Sequence, residues 1–271
     1  MKRFLHRGMC LVVGFLMLLM ADGALAEAPT EAVESGEPAK LAGTLFVYCA
    51  AGVKDPVLEI AKAFEKEAGV KVEFTFANSG QLLGQIETTR SGDVYIPGDV
   101  GFAAKAKEKN LLAGNPVEFC HFVPAIYVRK GNPKNIKGVS DLERPGLKLA
   151  LADVSSAVGR IQADLFKKNG SNLEALKKNT VFSPALVTDV ALAVKMGSVD
   201  AGIIWDALGT FAPDQAEIVR IPAEKNVTST VGACALTVAK NPKAAVAFLR
   251  LLSSEKGRDI LKGMGFTVVK P

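Results

Sequence analysis

The sequence predicts an α/β fold made of two lobes with a cleft between them. Two observations carry that prediction. Short apolar stretches of extended type alternate with helical stretches along nearly the whole chain, the pattern of helices covering a mostly parallel sheet. One unit, strand then tight turn then helix, also recurs. Leu45-Phe46-Val47-Tyr48 stops at Cys49-Ala50-Ala51-Gly52, Val70 to Phe76 stops at Ala77-Asn78-Ser79-Gly80, and Leu147 to Leu151 runs into the turn Val154 to Gly159. Each such turn presents free backbone N–H groups and the positive end of a helix dipole, a recipe for holding a small anion.

The chain opens with a segment that is not part of the fold. Lys2, Arg3 and Arg7 precede an apolar run from Cys10 to Ala21, and Ala24-Leu25-Ala26 is a small-x-small cleavage site. Residues 1–26 therefore read as a secretory signal cut after Ala26. The run is short for a bilayer span, and no later stretch approaches roughly 18 uninterrupted apolar residues. An exported, soluble product is expected. Residues 27–40, rich in Ala, Glu and Pro without apolar periodicity, form a flexible leader.

Thr44–Tyr48 is the first strand, apolar enough to be buried on both faces. Asp55 suits an N-cap and Pro56 the first position of a helix reaching Ala68, with Val57, Ile60, Ala61 and Phe64 on its core face and Gly69 ending it. Val70–Phe76 is the second strand, a helix opens after Ser79, Asp93–Pro97 is a third strand, and Phe102–Asn110 a helix. Phe119–Val128 reads as one long strand. A short helix at Ser140-Asp141-Leu142, a strand at Leu147–Leu151 and a helix at Arg160–Lys168 follow. Val181-Phe182, Gly202–Trp205, Ile218–Pro222 and Ala233–Val238 are strands. Helices run from Val187 to Met196, from Asn241-Pro242 to Leu252, and from Ser254 to Met264.

The first crossover between lobes is expected at Phe119–Val128 and the return near Thr230–Val238. The division is then residues 41–122 with 232–271 in one lobe and 123–231 in the other, on a paired-strand hinge that can close on a ligand. Cys120 and Cys234 would sit on the hinge strands, which makes them candidates for a disulfide. Three buried apolar thiols, Cys49 included, is the alternative. Removing residues 1–26 brings the formal charge from +5 to about +3, too mild for a nucleic-acid surface. His121 is the one histidine outside the signal segment, which weighs against a zinc site or a multi-histidine triad.

Several segments together resemble the periplasmic molybdate-binding proteins of ABC importers, within the type II solute-binding fold. They are Tyr48-Cys49-Ala50-Ala51, Phe64 to Val70, Phe74 to Leu82, Gly92 to Ile96, Gly202 to Trp205 and Met264 to Val268. The resemblance implies an exported monomer that performs no chemistry. It would take up molybdate or tungstate, carry no cofactor, and hand the ion to a membrane permease. It also implies neutral donors in the cleft. Ser79 matches a serine giving both hydroxyl and N–H, Val158 a backbone donor in the third turn, and Val187 one opening the next helix. Gly52 stands where a serine is usual and Trp205 where a tyrosine hydroxyl is usual. The third turn aligns one residue short, so its donor is Val158 or a neighbour.

The residues accord with that chemistry. A fully ionised tetrahedral oxyanion has four acceptor oxygens and no proton, so a site made only of donors fits it, with charge balanced by helix dipoles and oriented N–H groups. Asp153 and Asp206 near strand ends read as caps or surface acids, and Ser155 and Ser156 are reserve hydroxyls. Two rivals remain. The same fold could hold ferric iron or an organic anion, but Tyr48, Tyr95 and Tyr127 are not adjacent. A secreted hydrolase could use Ser79 or Cys49 as nucleophile with His121 as base, but no G-x-S-x-G elbow is present.

Overall fold

The structure is a computed structural model and describes residues 41–211 and 213–270; the signal segment and leader lie outside the described residues. Two sheets carry it. The first contains β1 (Thr44–Ala50), β2 (Lys71–Ala77), β3 (Val94–Ile96), β4 (Val117–Phe122), β10 (Ser229–Ala235) and β11 (Thr267–Val268), in the order β11-β4-β10-β3-β1-β2. The second contains β5 (Pro124–Arg129), β6 (Leu149–Ala150), β7 (Thr180–Phe182), β8 (Ala201–Trp205) and β9 (Ala216–Arg220), in the order β7-β6-β8-β5-β9. β1, β2 and β3 run parallel, as do β6, β7 and β8, while β10, β4, β11, β5 and β9 pair antiparallel.

The first sheet is flanked by α1 (Lys54–Ala68), α2 (Ser79–Thr89), α3 (Val100–Glu108), α7 (Pro242–Ser253) and α8 (Glu255–Gly263); the second by α4 (Ala157–Lys168), α5 (Leu173–Asn179) and α6 (Val187–Lys195). α1 buries Val57, Ile60, Ala61 and Phe64, and Gly69 closes it in the left-handed region at φ 72°. Phe64 meets Phe248 of α7 edge to face, with centroids 5.3 Å apart. One apolar core runs from Leu45 and Ile60 in the first lobe to Leu149 and Ile204 in the second.

Five local expectations are corrected. The stretch Phe119–Val128 is two strands in two sheets. Pro124 lacks an N–H and sits first in its strand, and the Val123 carbonyl accepts from the Asp206 N–H instead of a ladder partner. The α1 cap is Val53, with Asp55 inside the first turn, because a 3₁₀ turn at Ala51–Val53 leads straight into the helix. Asn78, not Ser79, caps α2. α5 and β11 were not foreseen: α5 begins on an Asn172 cap, and β11 is only two residues long. Finally, Cys49, Cys120 and Cys234 are free, buried thiols. Cys120 lies opposite Val231, while Cys234 lies opposite Tyr95 on the other neighbouring strand. The register therefore keeps the proposed bridge from forming.

Candidate functional site

Parallel strands of both sheets point their carboxyl ends at one cleft, and the helices that follow begin around it, the usual place for a ligand in such sheets. After β1, the Lys54 N–H closes onto the Ala51 carbonyl. The N–H groups of Ala51 to Val53 therefore precede any helical acceptor, and Gly52 among them is buried at the cleft wall. After β2, Asn78 takes the Gln81 N–H on its side-chain oxygen at 2.9 Å. The Gly80 N–H reaches the Ser155 carbonyl of the other lobe at 3.3 Å. Ser79 keeps its own N–H for the cleft.

The Ser79 hydroxyl is also committed in a telling way. Its oxygen accepts the Gly98 N–H at 2.9 Å, and the Tyr95 hydroxyl donates to the Ser79 carbonyl at 2.8 Å. A hydroxyl has one proton and two lone pairs. With a lone pair engaged by Gly98, the proton remains to be given to something in the cleft.

The other lobe supplies two further helix starts. Ser156 caps α4, accepting the Gly159 N–H at 3.0 Å and donating to the Asp153 carbonyl at 2.7 Å. The Arg160 N–H turns back to the Ser156 carbonyl, which leaves Ala157 and Val158 as the amides facing out of the helix. At α6 the Asp189 and Val190 N–H groups close onto the Leu186 carbonyl, leaving Val187 at the open end. Four helix N-termini, two per lobe, thus share one cleft.

Gly52, Ser79, Val158, Val187 and Trp205 all line it, together with Asn78, Gly98, Phe122 and Ser156. The cavity is small, about 20 Å³, far below the volume of a drug-sized ligand site. No lining residue is charged. Trp205 ends β8 at 1% exposure and stacks on Phe122 with centroids 4.4 Å apart and planes at 10°. Asn78 is the residue sequence reasoning passed over. Its Nδ2 is buried and has no hydrogen-bond partner among the described residues. Its only sequence signal, an asparagine just before a helix, is that of any cap.

The residues of the rival readings fall elsewhere. His121 sits on β4, 3.2 Å from the Thr230 hydroxyl and outside the cleft lining. The Cys49 thiol points at the Ala50 carbonyl, and burial pushes its pKa well up. The hydroxyls of Tyr48 and Tyr95 are engaged by Thr89 and Ser79, and Tyr127 pairs within the second sheet. No group of three or more His, Cys, Asp or Glu side chains able to hold a metal occurs among the described residues. Hydrogen bonds from Ser155 hold the exposed Asp153 carboxyl below its usual range. Burial raises that of Asp206 despite its contacts with Ala207 and Arg220.

Beside the cleft, an ion pair joins the lobes. Asp99 caps α3 and is fully buried, accepting the Gly101 and Phe102 N–H groups at 2.6 and 3.3 Å. Arg160 of α4 meets both its carboxylate oxygens, at 2.5 and 3.3 Å.

Two sheets hinged by crossing strands, with a small neutral cleft ringed by helix starts, define a type II periplasmic binding protein fold. The chain belongs to the bacterial extracellular solute-binding protein family, whose model matches residues 45–267. The molybdate-binding protein ModA of Mycobacterium bovis is 28% identical over 94% of this chain and 97% of its own length. The periplasmic molybdate-binding protein of Azotobacter vinelandii shares the fold at a TM-score of 0.70 and 17% identity, covering 84% of this chain and 99% of that one. The sulfate-binding protein SubI of Mycobacterium tuberculosis does so at 0.75 and 16%, covering 85% and 88%.

Proposed function

We propose that the mature protein captures a fully deprotonated tetrahedral oxyanion of the molybdate or tungstate type in this cleft. It acts in the periplasm as a monomer and delivers the ion to an ABC permease. The observation that supports this most is the donor set. Four helix N-termini, the Ser79 hydroxyl and the unpaired Asn78 amide meet in a small space with no charged side chain in its lining. Donors without acceptors favour an ion that carries no proton. Leaving a buried donor unpaired costs about 1–3 kcal/mol, so a ligand with fewer acceptor oxygens is penalised. Gly52, Ser79, Val158, Val187 and Trp205 are the proposed contacts. The molybdate-binding relatives point the same way. The division into residues 41–122 with 232–271 and 123–231 is the proposed pair of closing bodies.

Native mass spectrometry and calorimetric titration with molybdate, tungstate, sulfate and phosphate test this reading. One molybdate or tungstate per chain, bound more tightly than phosphate, is expected. Binding of phosphate or of an organic anion in preference to both would overturn it.

A further inference from the structure

The wall formed by Gly52 and Trp205 carries more than its share of the pocket. A Cβ placed on Gly52 would lie 2.7 Å from the indole Nε1 of Trp205, 2.9 Å from its Cδ1 and 3.2 Å from Cζ of Phe122. No real Cβ tolerates the first two distances. The indole is stacked in parallel on Phe122, whose own ring edge also closes on that Cβ, so it has little room to retreat. Gly52 has no positive φ among those recorded for the chain's glycines, so its backbone does not call for glycine. The indole does. Trp205 is buried and lines the cleft. Although the residue is buried, its Nε1–H is not among the fully buried unpartnered polar atoms of the described residues, so the cleft is where this donor reaches open space.

We infer that Gly52 and Trp205 form a single specificity unit, in which the missing side chain at 52 admits the indole at 205 and the indole N–H serves as a direct donor to the bound oxyanion. This rests on the oxyanion reading and sharpens it. An indole N–H donates and never accepts, so this wall presents one rigid, neutral, acceptor-free contact. It favours an oxygen that bears no proton and disfavours a ligand that turns a hydroxyl toward it. The pair also sets the width of the pocket, because residue 52 cannot grow while the indole keeps its place.

Trp205 is the only tryptophan in the chain, so its fluorescence reports this contact alone. Titration of the wild-type protein with molybdate, tungstate and sulfate should shift or quench the emission with the same midpoint that calorimetry gives. Trp205→Phe retains an aromatic ring against Phe122 and removes the N–H; it should weaken oxyanion binding at least tenfold with the fold intact by circular dichroism. Gly52→Ala should lower the melting temperature and weaken binding in the wild-type background. In a Trp205→Leu background the same alanine should cost little stability.

Equal binding by Trp205→Phe and wild type would remove the indole as a donor. An equal loss of melting temperature from Gly52→Ala in both backgrounds would show the two residues to be independent. The melting comparison needs no ligand, so it stands even if wild type binds no oxyanion. That last result would overturn the site reading and the donor role together.

Discussion

The Ser79 hydroxyl oxygen accepts a hydrogen bond from the Gly98 N–H and has its own proton to give. That geometry gives its hydroxyl a role apart from the helix cap, which Asn78 supplies. In Ser79→Ala both the ligand's donor and the Gly98 acceptor disappear. A hydrogen bond to a charged group contributes about 1.5–3 kcal/mol, so the dissociation constant should rise about ten- to a hundredfold, as read by titration calorimetry; an unchanged constant would place the ion elsewhere. The buried thiols make a second prediction at this scale. Burial pushes Cys234 up to about 12 and raises Cys49 and Cys120 as well. In the unfolded chain such thiols ionise near about 8.5. The native state then keeps protons that the unfolded state gives up. Their stability contribution is whole below that pH and is lost as pH rises toward the native values. The melting temperature should fall between about pH 9 and 11, less steeply in Cys120→Ala. Thiol reagents at pH 8 should label none of the three until the protein unfolds. Ser79 was legible in the sequence because a turn serine before an apolar helix is a local pattern. The contact between Gly52 and Trp205 was not, because only the tertiary fold brings those two positions together.

At the level of elements, α2 shows how capping and site construction share residues. Asn78 caps the helix through its side-chain oxygen and leaves its Nδ2 without a partner in the cleft wall. Asn78→Ala should destabilise the protein by about 1 kcal/mol, the usual worth of a cap. Asn78→Asp keeps a capping oxygen but sets a carboxylate beside the bound ion. It should hold the melting temperature near that of wild type while oxyanion binding collapses; retained binding in that variant would show that Nδ2 does not face the ligand. Most strands and helices were readable from apolar periodicity, Gly69, and the caps at Asn241 and Ser254. The break at Val123-Pro124 was not, because an apolar run carries no mark of which sheet it joins. The two-residue β11 was too short to show a period.

For the molecule as a whole, the Asp99–Arg160 pair is the clearest link across the cleft mouth. A fully buried carboxylate that loses its cation is left with only the two α3 amides. Arg160→Gln should therefore favour the open form. Stopped-flow fluorescence should show faster ion release with the association rate little changed, since contacts made only on closing act on release. An unaltered release rate would mean that the pair does not hold the lobes together. The two-sheet architecture was visible in the repeated strand–turn–helix unit. This cross-lobe pairing was not, since its partners belong to separate parts of the chain and neither carries a motif.

The crossing at Val123-Pro124 has one more consequence. Every strand of the second sheet comes from a single uninterrupted stretch, β5 through β9. The two ends of that stretch are tied by a bond from the Asn226 side chain to the Pro124 carbonyl at 2.8 Å. Topologically the second lobe is a loop of the first, entered and left at one point. That insert carries half of the proposed anion site, while the other half stays with the rest of the chain.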